Sequence, residues 1–135
     1  MKIFIDTAAF IALVDSTDRN HQLAKGCYRE IIRSRDRLIS SNFIMCETLN
    51  YLRTRISYKI AIEFRESVYK SDILEIIPIS MEAEEEAYKI FKKYRDKDFS
   101  FTDCTSFALM EREKIKKVFS FDHHFMQYGS FQMIP

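Results

Sequence analysis

Lys2-Ile3-Phe4-Ile5-Asp6-Thr7 opens the chain with an apolar run closed by a carboxylate. An uninterrupted run of this kind reads as a strand buried on both faces, which is the habit of a parallel sheet covered by helices. Working outward, Ala8 to Val14 and Asn20 to Arg33 read as helices, the second with Leu23, Cys27, Tyr28 and Ile31 at helical spacing. Leu38-Ile39-Ser40 reads as a short strand, and Ser41 as the N-cap of a helix that runs through Leu52. A further helix is expected from Tyr58 to Lys70, then a β-branched strand from Ile73 to Ile79 with Pro78 at its end. Ser80 caps a helix over Glu82 to Arg95 whose acidic-then-basic order suits the helix dipole. Thr102 to Lys114 (helix), Lys117 to Phe121 (strand) and Phe131 to Ile134 (strand) complete the series. Strands separated by helices imply an α/β fold with a mainly parallel sheet. Ligands of such sheets collect beyond the carboxyl ends of the strands, here just after Ile5 and just after Phe121.

Composition agrees with one globular domain over residues 1–135, with 47% hydrophobic and 30% charged residues. Only two glycines and two prolines interrupt the chain, and neither a linker nor a repeat stands out. The apolar stretches fall short of the roughly 18 residues that span a bilayer, and no secretory signal is visible, so the expectation is a cytoplasmic chain with no membrane contact. The 21 basic and 20 acidic residues leave a net charge of +1, which gives no support to a bulk-basic nucleic-acid binder. The basic residues nonetheless cluster: Arg29, Arg33, Arg35 and Arg37; Arg53, Arg55 and Lys59; Lys92, Lys93, Arg95 and Lys97. Each cluster taken alone reads as a solvated helix face. Cys27, Cys46 and Cys104 form no C-x-x-C pair and read as small buried residues of a reducing compartment rather than zinc ligands.

Four carboxylates stand out of pattern. Asp6 and Asp122 each close an apolar strand at its carboxyl end, where a plain helix cap is the competing explanation. Glu47 lies four residues after Phe43, three after Ile44 and four before Tyr51, which places it on an apolar helix face. Asp103 opens its helix, where an acid complements the dipole, yet it shares a face with Phe107 and Met110. Acids brought together repel, and some stay protonated without a compensating cation. Oxygen-only donors select hard ions, Mg²⁺ or Mn²⁺, which can activate water and neutralise a phosphate. Metal-assisted phosphodiester hydrolysis is the reaction class that such a set would serve.

Four segments in order, Ile3-Phe4-Ile5-Asp6-Thr7, Phe43-Ile44-Met45-Cys46-Glu47-Thr48-Leu49, Ser100-Phe101-Thr102-Asp103-Cys104 and Phe119-Ser120-Phe121-Asp122-His123-His124-Phe125, span nearly the whole chain. Together they resemble the PIN-domain nucleases, particularly the VapC-like ribonuclease toxins. The resemblance implies a three-layer α/β/α sandwich and a divalent-metal-dependent endoribonuclease. It implies that Asp6, Glu47, Asp103 and Asp122 surround an Mg²⁺ or Mn²⁺ ion and carry catalysis, with Thr7 in support. It also implies RNA as substrate, a protein antitoxin as partner and a homodimer. Ser120 stands where the family often carries Thr. The family also contains stand-alone processing nucleases and inactive members, so a PIN-like protein- or RNA-binding module is the competing reading.

Thr102 is a second hydroxyl that could support Asp103, with a helix-start role as its simpler explanation. His123 and His124 point about 100° apart if helical, and the expectation for both is a surface or substrate-side position. The aromatics, Phe10, Phe43, Phe101, Phe107 and Phe125 among them, are expected mostly in the core. An aspartate-nucleophile phosphotransferase needs a second acid two residues after the first; position 8 is Ala. Which residues hold RNA is not legible at this level.

Overall fold

The computed structural model describes residues 1–135. Five strands form one wholly parallel sheet: β1 (Lys2–Ile5), β2 (Arg37–Ser41), β3 (Leu74–Ile77), β4 (Lys117–Phe119) and β5 (Gln132–Ile134), in spatial order β3-β2-β1-β4-β5. The helices between them are α1 (Thr7–Val14), α2 (His21–Arg33), α3 (Asn42–Tyr51), α4 (Tyr58–Lys70), α5 (Met81–Lys93), α6 (Phe101–Arg112) and α7 (His124–Tyr128). The expected α/β sandwich is therefore the architecture observed. From β1 the chain winds outward through β2 to β3, then crosses to β4 and β5 on the other side. Right-handed crossovers place α1 to α4 over one face and α5 to α7 over the other. The chain changes direction between β1 and β4, and this makes the crevice beyond their carboxyl ends the natural ligand site.

β1 shows why its residues form a central strand. Phe4 and Ile5 are fully buried and Ile3 nearly so. Phe4 meets Phe125 of α7 on one face, while Ile5 points to Phe10 and Phe64 on the other. Burying such side chains stabilises by about 1.5–3 kcal/mol each, an upper range set by the extended-chain reference. The core of the α5–α7 layer is aromatic: Phe107 is fully buried, edge-on to Phe99 and Phe125 and stacked on Tyr128.

The caps expected at Ser41 and Ser80 are present, and Ser57 and Ser100 add two more. Ser41, Ser57, Ser80 and Ser100 each accept a hydrogen bond from a backbone N–H three residues on. α7 ends at Gly129, whose φ of 95° suits a residue without Cβ. Several boundaries differ from expectation. β4 stops at Phe119 rather than Phe121: Ser120 still donates its N–H to the Ile134 carbonyl at 3.1 Å, and the chain then turns, with the Asp122 N–H donating to Ser120 Oγ. α3 does not run on past Tyr51; a π-helical turn, Leu52–Ile56, intervenes. Cys104 is buried and Cys27 half-buried, but Cys46 is exposed on α3, against the expectation of three buried thiols. No helix is long and apolar enough to cross a membrane.

Candidate active site

Beyond the carboxyl ends of β1 and β4 lies a cleft of ≈ 350 Å³ whose lining includes Asp6, Thr7, Glu47, Asp103, Asp122 and His124. Residues from the two ends of the chain and two points between thus share one opening. Another cavity, of ≈ 380 Å³ between α1, α2 and α4, is lined by Phe10, Leu13, Phe64 and other mainly apolar groups and holds no carboxylate. The chemistry belongs to the acidic cleft.

Asp6 leaves β1 as the N-cap of α1, its Oδ1 accepting from the Ala9 N–H at 3.3 Å. The capping explanation is thus correct, and the residue faces the cleft as well. Only 5% of Asp6 is exposed. Burial pushes its carboxyl up to about 8; hydrogen bonds from Ser120 and Ala9 offset part of this, and Asp122 and Asp103 add repulsion.

Asp103 is fixed by a capping box. Its N–H donates to Ser100 Oγ at 3.0 Å, while its Oδ2 accepts from the Ser100 N–H at 3.0 Å. The same Oδ2 lies 2.6 Å from His124 Nδ1. Oδ1 is left free of these bonds. Burial raises the Asp103 carboxyl above its ordinary range, with Asp122 adding to the effect and Ser100 and His124 opposing it. Asp122 is placed by its own turn: its N–H donates to Ser120 Oγ at 2.9 Å, and its Oδ1 accepts from the His124 N–H at 2.9 Å. Its Oδ2 is likewise uncommitted.

Glu47 corrects one expectation. It is exposed on α3, not set on a buried face. The buried stripe of α3 is Ile44, Met45 and Thr48; Phe43, Glu47 and Tyr51 form the neighbouring stripe, about 100° round the helix and only partly covered. Its carboxyl nevertheless leans into the cleft, where loss of solvation raises it, the Thr7 hydroxyl lowers it, and Asp103 and Asp122 raise it further. Thr7 is tied in turn to the fully buried Thr48, whose hydroxyl donates to it at 3.2 Å. Thr102 faces elsewhere: it lines an adjoining groove with Asn42, Phe43, Cys46, Glu47 and Asn50.

The expectation of a surface or substrate-side position for His124 left out its place between two acids: it lines the cleft and bridges Asp103 and Asp122, with Nδ1 2.6 Å from one carboxylate and 3.4 Å from the other. Candidate donor atoms of these three residues all lie within 4.8 Å of one another, whereas Asp6 and Glu47 line the same cleft outside that group. His123 is exposed, as expected. The available signal was the Asp122-x-His124 spacing, in which an Asx-type turn swings His124 back towards Asp122.

None of the four acids pairs with a lysine or arginine; the imidazole of His124 is the one basic ring against them. Hard oxygen donors, mutual repulsion and free carboxylate oxygens fit a divalent cation of the Mg²⁺ class. A carboxylate oxygen only accepts, so the Asp103 contact assigns the proton to Nδ1 of His124. His124 then orients Asp103 rather than ligating through Nδ1.

Comparison with known proteins agrees with this geometry. The PIN domain family model matches residues 3–130. The chain is 31% identical over 128 residues to a VapC ribonuclease of Archaeoglobus fulgidus, a match that covers 93% of this chain and 80% of the relative. It is 26% identical over 133 residues to the 23S rRNA-specific endonuclease VapC20 of Mycobacterium tuberculosis, covering 98% of each. The crystal structure of that VapC20, described as a sarcin-ricin loop cleaving toxin, superposes with a TM-score of 0.87 over 98% of this chain and 99% of the other. VapBC2 from Rickettsia felis, only 10% identical, shares the fold at a TM-score of 0.74 over 98% of this chain and 97% of the other. With its motifs, fold and matched span in agreement, the chain belongs to the PIN domain family and is similar over nearly its whole length to VapC ribonucleases.

Proposed function

We propose that this chain, as a single 1–135 nuclease domain, is a divalent-metal-dependent endoribonuclease that hydrolyses RNA phosphodiesters, and that it is the toxin of a toxin–antitoxin pair. The observation that carries the reading is the meeting of Asp6, Glu47, Asp103 and Asp122 in one open cleft with no lysine or arginine to neutralise them. A surface-docking module would gain nothing from that costly arrangement.

Asp103 and Asp122 would hold an Mg²⁺ or Mn²⁺ ion through their free oxygens, with Asp6 and Glu47 reaching it directly or through water. When bound, such an ion supplies charge neutralisation at the scissile phosphate and a lowered pKa for water. The chain's own work is positional. Ser100 and His124 hold Asp103 from two sides, Ser120 holds the Asp122 backbone, and the α1 cap holds Asp6. Glu47 stands at the open rim, beside Thr7, where a phosphodiester enters. The cleft's position at the sheet edge leaves room for a chain to pass, as an endonuclease requires.

The VapC resemblance supports RNA as substrate, a protein antitoxin as partner and a cytoplasmic setting. A homodimer is proposed on the same basis, with Met81, Tyr88 and Phe91 of α5 exposed and available to a second copy. The deciding experiment is incubation of the protein with total RNA and Mn²⁺, with and without EDTA, beside the Asp6→Asn variant. Discrete new product ends that vanish with EDTA and with Asp6→Asn are expected. Intact RNA under all conditions would leave a binding module; cleavage by a protein whose expression is harmless without a partner would favour a processing nuclease.

A further inference from the structure

α3 hands over to α4 through a π-helical turn, Leu52–Ile56, closed by the Ser57 N–H donating to the Leu52 carbonyl at 2.9 Å. Such single turns interrupt the regular i→i+4 ladder and recur at functional sites. Leu52, fully buried, anchors the turn, while Arg53, Thr54 and Arg55 are all exposed. The guanidinium of Arg53 lies 4.9 Å from the ring centroid of Tyr58, and that of Arg55 lies 5.7 Å from that of Tyr51. Both tyrosines are themselves exposed, Tyr58 by 60% and Tyr51 by 37%.

Two features separate this surface from an ordinary wet helix face. The first is charge: between Glu47 and Glu63 the chain carries Arg53, Arg55 and Lys59 and no acid at all. Lys59 is engaged by Glu63, but neither arginine has an ion-pair partner. The second is continuity with the acidic cleft. Glu47, Tyr51 and Arg55 follow one another at intervals of four residues, about 6 Å apart along α3 and into the turn. Asn50 lies beside that row in the groove shared with Glu47, and its amide makes only a 3.7 Å contact with Cys46 Sγ. Thr54 Oγ1 donates to the Asn50 carbonyl at 2.9 Å and ties the turn to the groove.

We propose that Tyr51, Arg53, Arg55 and Tyr58 form a track for single-stranded RNA leading out of the cleft past Glu47. The tyrosine rings stack bases, and the guanidiniums contact phosphates. A polyanion drawn to a cluster of carboxylates needs a compensating positive surface nearby, and this one supplies it. Single strands are favoured over duplex because only unpaired bases expose a face for stacking. The inference rests on the ribonuclease reading for its biological meaning, but it is tested by binding alone.

The probe is a fluorescein-labelled 12-nucleotide RNA of mixed sequence, read by anisotropy across a salt series, with every protein carrying Asp6→Asn so that no turnover intrudes. Arg53→Gln with Arg55→Gln is expected to weaken binding about tenfold and to lower the slope of log affinity against log salt by about 1.4, two contacts of ~0.7 each. Tyr51→Ala with Tyr58→Ala is expected to weaken binding while leaving the salt slope unchanged. Removal of equal charge on α2, Arg29→Gln with Arg33→Gln, should alter affinity by less than about twofold. Equal weakening by both arginine pairs, an unchanged slope, or tighter binding of a 12-base-pair duplex would overturn the track. Cleavage of total RNA by protein with Asp6 intact is scored separately: its absence refutes the ribonuclease reading, and the binding comparison still decides the track.

Discussion

His124 Nδ1 sits 2.6 Å from Oδ2 of Asp103, the same oxygen that the Ser100 amide holds at 3.0 Å. One carboxylate oxygen is thereby tied from two directions, and Oδ1 is turned free for a cation. Loss of a hydrogen-bonding partner behind a ligand typically costs 10–100-fold in metal affinity. His124→Ala is therefore expected to weaken Mn²⁺ binding by about 10–100-fold in isothermal titration. His123→Ala, at an exposed position, should leave it unchanged. Equal effects of the two substitutions would remove His124 from the site.

Asp6 sets the pH dependence of the metal-free protein. Its carboxyl is raised by burial to about 8 in the folded chain, against about 3.9 when unfolded. The folded state thus prefers the neutral acid. The stability this provides is complete below about pH 4 and is lost as pH rises through about 8. Glu47 and Asp103 are raised too and act in the same sense. In EDTA-treated protein the melting temperature should fall between pH 5 and 8. Asp6→Asn should flatten that fall, because an amide keeps the cap to Ala9 and carries no charge. A melting temperature that instead climbs over this range in both proteins would show that the acids are not in conflict.

Addition of metal should reverse the loss. At a concentration a hundred times its dissociation constant, Mn²⁺ is expected to add about 2.7 kcal/mol at one site. Differential scanning fluorimetry on chelator-stripped protein reads this directly, and the gain should be larger at pH 8 than at pH 5. Asp103→Asn should abolish most of it. Persistence of the full shift in that variant would place the ion elsewhere.

The three thiols should separate by reactivity. Burial raises Cys27 and Cys104 to about 11, with Asp103 adding to the effect at Cys104. At pH 8 only about one in a thousand of either is thiolate, and the thiolate is the nucleophile. Cys46 is exposed. Iodoacetamide at pH 8 should modify one cysteine quickly in native protein, identified as Cys46 by peptide mass, and all three only after urea. Early modification of Cys104 would mean that α6 opens far more readily than its buried packing implies.

The aromatic layer should dominate stability. Phe107 is fully buried among Phe99, Phe125 and Tyr128, and Phe107→Ala is expected to cost about 3–5 kcal/mol by urea denaturation. A loss below about 1 kcal/mol would show that the cluster repacks around the gap.

The sequence by itself determined the alternation of strands and helices, the parallel sheet and the identity of the four acids. These follow from local causes: an apolar run that only a doubly covered strand can bury, and serines that can accept from a free helix amide. It also determined where acids break that pattern, since a charge beside Ile5 or Phe121 is visible without coordinates. Tertiary structure decided the rest. Glu47 reads as buried because the 43–47–51 stripe looks apolar, yet which stripe of α3 faces the sheet depends on how the helix docks, and Thr48 rather than Glu47 points inward. His124 joins the cleft only because β4 ends two residues early and the Ser120–Asp122 turn folds the chain back over the sheet edge. The π-helical turn fills the gap between a helix read through Leu52 and one read from Tyr58, and the buried Leu52 anchors it. Helical periodicity is a property of neighbours in the chain; which face is covered is a property of neighbours in space.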